Sequence, residues 1–305
     1  MDFARERFLT ALWHPLQVLY KILLLMLKQK FTRLLRGQRK TLIVAIHLPP
    51  LLGYPGFPGL RNARINALRD LRAAERGGAD AIIFENNYDL PHREKVGPGS
   101  LGCLLEIGRE LRRATRLPLG ISVLWNDYEA ALVLAKLLNL QFIRVPALVD
   151  TVKTDWGIIR GAGRQVSKLK TILGADRVAI CADIHVKHAQ LLSRHSLLES
   201  ARLAIRAGAD ALILTGRWTG DPPKLEDLQK LRFKIGDFPI LAGSGITTVN
   251  SSSLGRYLNG AIVSTSLKKG RSRPGERNIK PYECRLDLNK IRKLARVFSG
   301  RETRK

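Results

Sequence analysis

The chain has 305 residues, 45% of them apolar and 26 of them glycines, which is enough for one large α/β domain with a sizeable core. Its three cysteines, Cys103, Cys181 and Cys284, form no C-x-x-C pair, which argues against a disulfide framework or a cysteine zinc site and favours a reducing compartment. The formal net charge of +26 predicts an anionic partner, and residues 1–40 contribute +7 and residues 268–305 contribute +10 of it.

The chain begins with a segment, residues 1–40, whose composition differs from that of the rest. Residues 16–27 are almost wholly apolar and are followed by a run of Lys and Arg up to residue 40. This apolar run is shorter than the roughly 20 residues that a spanning helix needs, and no small-residue cleavage site follows it. We therefore predict that residues 8–36 bind an anionic membrane surface as an interfacial helix. A helix packed on the domain or on a partner protein is one alternative, and a cleaved or spanning segment is another.

Nucleic acid is the other anionic partner that the charge allows. The sequence has no zinc-finger, RNP-type or Arg/Gly-rich signature, and aromatic residues are not interleaved with the basic runs. We therefore predict an intracellular protein at a cytoplasmic-side or thylakoid-type membrane surface, with no nucleic-acid partner. Residues 301–305 form a short basic tail.

From Thr41 onward, short apolar runs alternate with longer segments of helical spacing. Eight runs predict strands, namely Leu42–Ile46, Ala81–Phe84, Leu119–Leu124, Phe142–Val145, Val178–Ala182, Ala211–Leu214, Pro239–Ala242 and Ala261–Val263. Two of the helices between them end in Gly-Ala-Asp, which is typical of a helix C-cap before a strand. Eight strand–helix units predict a (β/α)8 TIM barrel over residues 41–300. A doubly wound sheet is the alternative, but no G-x-G-x-x-G turn follows the first strand.

Polar residues stand at the carboxyl ends of the predicted strands, where the active sites of TIM barrels lie. Any single one could be structural, but seven or eight strands ending in this way predict a ligand site at the barrel mouth. We predict ligand contacts from His47, Asn86, Asn126, Arg144, Thr215 and Gly216.

The ends of the last two strands give the most specific signal. "AGSGI" follows the seventh strand and "VSTSL" forms the end of the eighth, which places small residues where backbone N–H groups can approach an anion. A phosphate site in these two loops recurs in TIM barrels. We predict that phosphate is bound by Gly243, Ser244, Gly245, Ser264, Thr265 and Ser266, and the alternative is that the glycines only turn the chain.

The strand ends also contain groups suited to acid–base chemistry. We predict Asp183, His185 or Glu85 as the general acid or base, because burial and neighbouring charges can move their pKa values into the working range. Lys187 would stabilise charge, with Schiff-base formation as an alternative. Asp127 completes the catalytic candidates, and together with Glu85, Asp183 and His185 it suits a divalent ion. No tight ligand spacing supports such a metal site, and no organic-cofactor signature is present.

The stretch "ADIHVKHA" contains several of these candidates. Side chains alternate faces along a strand, so Asp183, His185 and Lys187 would face the barrel mouth together if the fifth strand extends that far. His188 would then begin the following loop.

Nine short stretches occur in the order and near-spacing of one protein family. They are VAIHLPPL, IIFENNYDLP, SVLWND, FIRV, TDWG, ADIHVKHA, TGRWTGDPP, AGSGITTVN and AIVSTSLKKG. On these motifs, residues 41–300 resemble the BtpA/SgcQ family. The resemblance implies a barrel of the ribulose-phosphate-binding type. It also implies two functions, because the best-known member is a peripheral thylakoid protein needed for photosystem I to accumulate, whereas others accompany sugar-metabolism genes and are regarded as enzymes.

Three positions depart from the motifs of that family. Trp125 stands where Arg is usual, Pro146 where Asn is usual and Ser264 where Gly is usual, so the same substrate is not implied. Two hypotheses follow. One is a membrane-associated factor in the assembly of a membrane protein complex. The other is a lyase, isomerase or glycosyl/nucleoside-type hydrolase acting on a phosphorylated sugar or nucleotide-like small molecule. The sequence leaves the oligomeric state open, a homo-oligomer included.

Overall fold

A computed structural model of the chain describes residues 31–37, 39–270, 278 and 280–298 and contains the predicted barrel. Each of the eight predicted strands is present. In chain order, the barrel strands are Thr41–His47, Ala81–Glu85, Leu119–Ser122, Phe142–Val145, Ala179–Ile184, Ala211–Leu214, Ile240–Ala242 and Gly260–Val263. All neighbouring strands pair in parallel, and the first closes on the eighth with Thr41 opposite Gly260.

Helices cover the outside of the barrel, because each strand is followed by a segment whose apolar residues recur at helical spacing. The helices are Leu60–Gly77, Pro98–Ala114, Tyr128–Leu137, Gly163–Ile172, Leu197–Arg206, Leu225–Ile235, Ser251–Gly255 and Leu288–Phe298, with a 3-10 turn at Thr265–Leu267. Their buried faces and the outward-facing strand residues form the larger hydrophobic cluster, which includes Leu71, Leu104 and Leu132.

A small antiparallel sheet, which the sequence does not predict, covers the loops after the fourth and fifth strands. Val152–Thr154 lies between Gly157–Ile159 and Gln190–Leu191. Its apolar side packs on Trp125 and Val186, so this sheet fixes one wall of the barrel mouth.

Residues 31–36 form a helical segment that closes the opposite, N-terminal end of the barrel. Phe31 and Leu35 are 1% and 0% exposed and belong to the cluster inside the barrel. The ring of Phe31 stacks on that of Phe142 at 4.1 Å. Small interior side chains, such as those of Ala81 and Ala179, leave room for this insertion.

This packing corrects part of the membrane-anchor prediction. The buried residues Phe31 and Leu35 belong to the barrel and cannot face lipid, so the alternative of a helix packed on the domain applies to residues 31–36. Residues 8–30 of the predicted anchor and the basic tail 301–305 lie outside the described residues. Within the part of the chain that the structure describes, no helix is both long enough and apolar enough to cross a bilayer.

Candidate functional site

A cavity of about 280 Å³ opens at the carboxyl ends of the barrel strands. Its walls come from the strand ends and the loops that follow them, as expected for a TIM barrel. The structure brings ten of the predicted site residues to this cavity, namely His47, Glu85, Arg144, Lys187, Gly243, Ser244, Gly245, Ser264, Thr265 and Ser266.

The loops after the seventh and eighth strands place hydrogen-bond donors beside the cavity. Among the described residues, none accepts a hydrogen bond from the backbone N–H groups of Ser244, Gly245 or Thr265. The buried hydroxyl of Ser264 also has no partner within the described part of the chain. Unsatisfied donors at a buried edge are costly unless a ligand or water accepts their hydrogen bonds. The two loops can therefore hold an anion.

Two of the serines predicted to bind phosphate use their hydroxyl groups for hydrogen bonds between loops. The Ser244 hydroxyl donates to the carbonyl of Asp221 at 2.6 Å, and the Ser266 hydroxyl donates to the carbonyl of Ile246 at 2.9 Å. These bonds hold the mouth loops against each other. Ser244 therefore offers the cavity its backbone N–H, whereas its side chain fixes the loop.

The backbone conformation at residue 245 requires a glycine. Its φ of +69° is the left-handed conformation, and a Cβ atom there would lie 2.1 Å from the backbone nitrogen of Pro222. The glycine thus turns the chain, as the alternative interpretation holds. It also lets the loop approach residues 221–222 closely enough to leave its N–H at the cavity.

Two buried cations line the cavity, Arg144 and Lys280, and the amine of Lys280 donates to the backbone carbonyls of residues 268–270. The guanidinium of Arg144 donates to both carboxylate oxygens of Asp183 at 2.8 and 2.9 Å and to Glu85 at 3.3 Å. Burial alone would lower the pKa of Arg144, but the two carboxylates outweigh it and hold the pKa above its usual value. Arg144 is therefore a permanent cation, and Asp183 orients it and does not itself line the cavity.

Burial lowers the pKa values of both His47 and Lys187. Burial, followed by the charges of Lys268, Lys187 and Arg144, lowers the pKa of His47 well below its ordinary value, so its imidazole is neutral. Nε2 of His47 lies 3.8 Å from Oε2 of Glu85. Burial and the nearby Arg144 lower the pKa of Lys187 to about 8. A neutral imidazole beside a carboxylate, with a titratable amine nearby, is suited to general acid–base catalysis.

The fifth strand ends before the predicted triad can form. It stops at Ile184, and His185 adopts a left-handed backbone with φ of +49°. The alternation of side chains therefore ends there. Asp183 lies in the Arg144 ion pair, Lys187 lines the cavity and His185 lines a second cavity beside it. His188 lies in the loop, as predicted, with Nε2 2.7 Å from the hydroxyl of Thr219.

Five other predicted residues lie outside the cavity lining and support the mouth from behind. Asn86 bonds both backbone groups of Leu124, and Asn126 bonds both backbone groups of Ala147. Asp127 caps the helix Tyr128–Leu137 and also accepts from the backbone of Val96, so its carboxylate is used structurally. The hydroxyl of Thr215 accepts from the backbone of Lys187 at 3.0 Å, and Gly216 leaves room for Asp221. Asn86, Asn126 and Asp127 thus have structural partners and do not line this cavity, whereas Thr215 and Gly216 line a second cavity beside it. The ligand contacts predicted for Asn86, Asn126, Thr215 and Gly216 and the catalytic role predicted for Asp127 stay predictions.

The carboxylates and imidazole considered for a divalent ion are not brought together. Glu85 and Asp183 both pair with Arg144, whereas Asp127 caps a helix and His185 lines the second cavity. Across the described ranges, no three His, Cys, Asp or Glu side chains are grouped so that they could hold a metal ion.

Lys268, which the sequence analysis missed, lies outside the cavity lining but packs against Tyr88, the neighbour of His47. It is 1% exposed, and its amine donates to the hydroxyl of Tyr88 at 3.2 Å and lies 5.2 Å from the centre of that ring. Burial, partly offset by Asp70, lowers the pKa of Lys268 to about 8. The Tyr88 ring in turn packs edge-on against His47. A lysine in a basic run gives no sequence signal of burial, so only the packing identifies it.

The family model that matches the chain is that of the BtpA family, over residues 38–284. The chain belongs to the BtpA family. An uncharacterized protein from Archaeoglobus fulgidus is 40% identical over 261 residues, which are 86% of this chain and 99% of that protein. The photosystem I biogenesis protein BtpA of Synechocystis sp. is 36% identical over 230 residues, which are 74% of this chain and 80% of that protein. The resemblance in the motifs is thus confirmed.

Solved structures confirm the barrel. The (S)-3-O-geranylgeranylglyceryl phosphate synthase of Thermoplasma acidophilum, in complex with its substrate sn-glycerol-1-phosphate, is similar with a TM-score of 0.55. The match covers 90% of this chain and 97% of that one at 14% sequence identity, and this level of likeness establishes the fold alone.

The three departures from the BtpA motifs share one location. Trp125, Pro146 and Ser264 all line the cavity. The mouth of this BtpA-family member thus has apolar surface from Trp125 and Pro146 and a hydroxyl from Ser264 at the anion loop. Differences confined to a cavity wall change what the cavity accepts and leave the fold unaltered.

Proposed function

We propose that this chain is an enzyme that binds a phosphorylated small molecule at the barrel mouth and acts on it by acid–base chemistry. The observation that carries the proposal is the set of free donors, the N–H groups of Ser244, Gly245 and Thr265 and the hydroxyl of Ser264, beside a cavity that also contains Lys187. Such donors, arranged around a turn, are a recurrent way to bind phosphate.

The other polar groups of the cavity have two roles, charge stabilisation and proton transfer. Arg144 and Lys187 supply positive charge for an anionic substrate or for charge that develops during the reaction. His47, neutral and close to Glu85, accepts a proton from the substrate or returns one to it. A lyase, an isomerase and a glycosyl or nucleoside hydrolase all need such a donor and acceptor pair. The substrate that we propose is a phosphorylated sugar or nucleotide-like molecule.

The proposal is tested by thermal shift with a panel of phosphorylated sugars and nucleotides. We expect at least one compound, at about 100 times its Kd, to stabilise the wild type by about 2.7 kcal/mol. Thr265→Asp places a carboxylate at the anion loop and should abolish this stabilisation by repulsion.

Ser252→Asp is the matched control, because it adds the same charge at an exposed position outside the cavity. It should respond to the panel as the wild type does. The proposal fails if no phosphorylated compound stabilises the wild type, or if Thr265→Asp is stabilised equally well.

We also propose a membrane-associated role, in which the protein assists the assembly of a membrane protein complex at an intracellular, cytoplasmic-side or thylakoid-type surface. The photosystem I biogenesis protein that is 36% identical to this chain supports the membrane role.

The charge of the exposed surface at the N-terminal end of the barrel also supports the membrane role. Its exposed cations include Arg33, Arg36, Arg76, Arg113, Arg116, Lys136, Arg206, Lys234 and Arg256, against the exposed acids Asp176 and Asp237. Exposed Leu137, Ile172 and Phe233 add apolar side chains at the same end. Cations with interspersed apolar groups are suited to an anionic bilayer.

Flotation with vesicles tests the membrane role. Full-length protein should float with phosphatidylcholine vesicles that contain about 30% phosphatidylglycerol and remain unbound with phosphatidylcholine alone, because binding depends on surface charge. A chain that begins at Lys30 keeps Phe31 and Leu35 in the barrel but lacks most of the predicted anchor, and it should float less. Equal flotation of both chains would remove the anchor from the proposal.

A further inference from the structure

A second cavity, of about 810 Å³, lies beside the first on the outer side of the loop that follows the fifth strand. Val186, Lys187 and His188 line both cavities and form part of the wall between them. We propose that this second cavity binds a planar heteroaromatic ring such as a nucleobase, which stacks on Trp218 and hydrogen-bonds to His185.

Trp218 offers the stacking surface. The side chain lines the second cavity and is 57% exposed, which is a large aromatic area left in contact with water. Its backbone N–H donates to the Asp221 carboxylate at 3.1 Å, and its ring contacts that of His188 with centroids 5.5 Å apart. An exposed indole at a cavity wall can stack on any base, since every base has a π-face.

His185 offers the hydrogen bond. Its Nε2 atom is buried and has no hydrogen-bond partner among the described residues. A buried ring nitrogen without a partner is costly, and a ligand with a donor or acceptor at its edge would remove that cost. Since a neutral imidazole can donate or accept through Nε2, it can bond either kind of group on a base edge.

The backbone around His185 is held in a conformation that residues with a Cβ atom rarely adopt. His185 and His188 have φ values of +49° and +59°. The Lys187 N–H donates to the hydroxyl of Thr215 at 3.0 Å, and the His188 N–H donates to the carbonyl of Arg217 at 3.2 Å. Left-handed residues that their surroundings hold in place cluster at binding sites, where they direct side chains toward a ligand.

The charges around the cavity favour an uncharged polar ring over an anion. Lys153, Lys187, Arg217 and Lys224 line it, but so do the carboxylates of Asp155, Asp221 and Asp227. The charges nearly balance, in contrast to the first cavity, where Arg144 lies beside N–H groups that have no acceptor among the described residues. Apolar floor residues such as Leu214 and Pro222 suit the faces of a ring.

The test is isothermal titration of the full chain with adenosine, guanosine, cytidine and uridine, which carry a base but no phosphate. We expect at least one nucleoside to bind. Trp218→Ala should weaken its affinity at least tenfold, whereas Trp218→Phe keeps a stacking ring and should stay within about threefold of the wild type. Phe233→Ala, which removes an 82% exposed aromatic side chain at the other end of the barrel, is the matched control and should bind as the wild type does.

The inference is overturned if no nucleoside binds at millimolar concentration, or if Trp218→Ala binds as tightly as the wild type. The experiments distinguish a failure of this inference from a failure of the proposed phosphate site. Thr265→Asp blocks the first cavity alone and should leave nucleoside affinity unchanged, so failure of phosphate binding does not entail failure here.

Discussion

At the scale of single residues, the barrel mouth contains cations whose hydration is reduced by burial. Lys187 lines the cavity, and burial together with Arg144 lowers the pKa of its amine to about 8. An ammonium group in such surroundings is less stable than in the unfolded chain, where its pKa is about 10.4. The folded state therefore bears a cost for this charge, as functional sites commonly do.

This cost predicts a pH-dependent effect of Lys187→Met. Below pH 8 the amine is charged in both states, so the variant, which lacks the buried charge, should have the larger free energy of unfolding. As the pH rises from 8 to about 10.4, the folded wild type loses its proton before the unfolded chain does, and wild-type stability increases. The advantage of the variant should therefore shrink over this range.

Urea denaturation at pH 6.5, 8, 9 and 10 measures the difference. Lys230→Met, on the exposed face of the helix Leu225–Ile235, is the control and should show no such trend. A Lys187→Met advantage that is the same at pH 6.5 and pH 10 would contradict the assigned pKa shift.

The residue types at the strand ends predicted many of the residues that line the cavity, but not the direction in which each side chain points. His47, Glu85 and Lys187 line the cavity as the sequence suggests, because their strands end where the apolar runs end. Asp183 and His185 could not be placed in this way. Their directions depend on an ion pair with a residue 39 positions away and on a left-handed backbone, neither of which leaves a local pattern.

At the scale of elements, the loop after the seventh strand depends on one backbone conformation. Gly245→Ala would require a left-handed alanine whose Cβ meets the Asp221–Pro222 backbone at 2.1 to 2.5 Å. We expect this variant to lose about 3 kcal/mol of unfolding free energy, as measured by urea denaturation. Gly255→Ala is the control, because a Cβ there meets nothing within 4 Å and its φ is not left-handed. If both variants are equally stable, the close approach of the two loops is not needed.

The elements also show which patterns the sequence carries. All eight barrel strands were predictable, because each is a buried apolar run followed by a segment of helical spacing. The three-stranded sheet at residues 152–191 was not, since strands of two or three residues are too short to show periodicity. Residues of that sheet pack against Val186 and Trp125, so the positions of these two cavity-lining side chains could not be predicted from the sequence either.

At the scale of the whole molecule, the two ends of the barrel differ in how they are filled. The mouth contains the two cavities described above, whereas Phe31 and Leu35 fill the barrel interior at the other end. Phe31→Ala should leave a void inside the barrel and lower the free energy of unfolding by about 3–5 kcal/mol. Thermal and urea denaturation measure the loss, and Arg36→Ala, at an exposed position of the same segment, should change stability by less than about 0.5 kcal/mol. A small effect of Phe31→Ala would mean that the segment is dispensable for the barrel.

The position of Phe31 also gives the molecule an orientation. Phe31, the first described residue, enters the barrel at the end opposite the two cavities of the mouth. A membrane held there would leave both cavities open to the aqueous phase, and ligands could come and go without leaving the solution. Attachment and ligand exchange could then be altered independently, one by changes before residue 31 and the other by changes at the mouth.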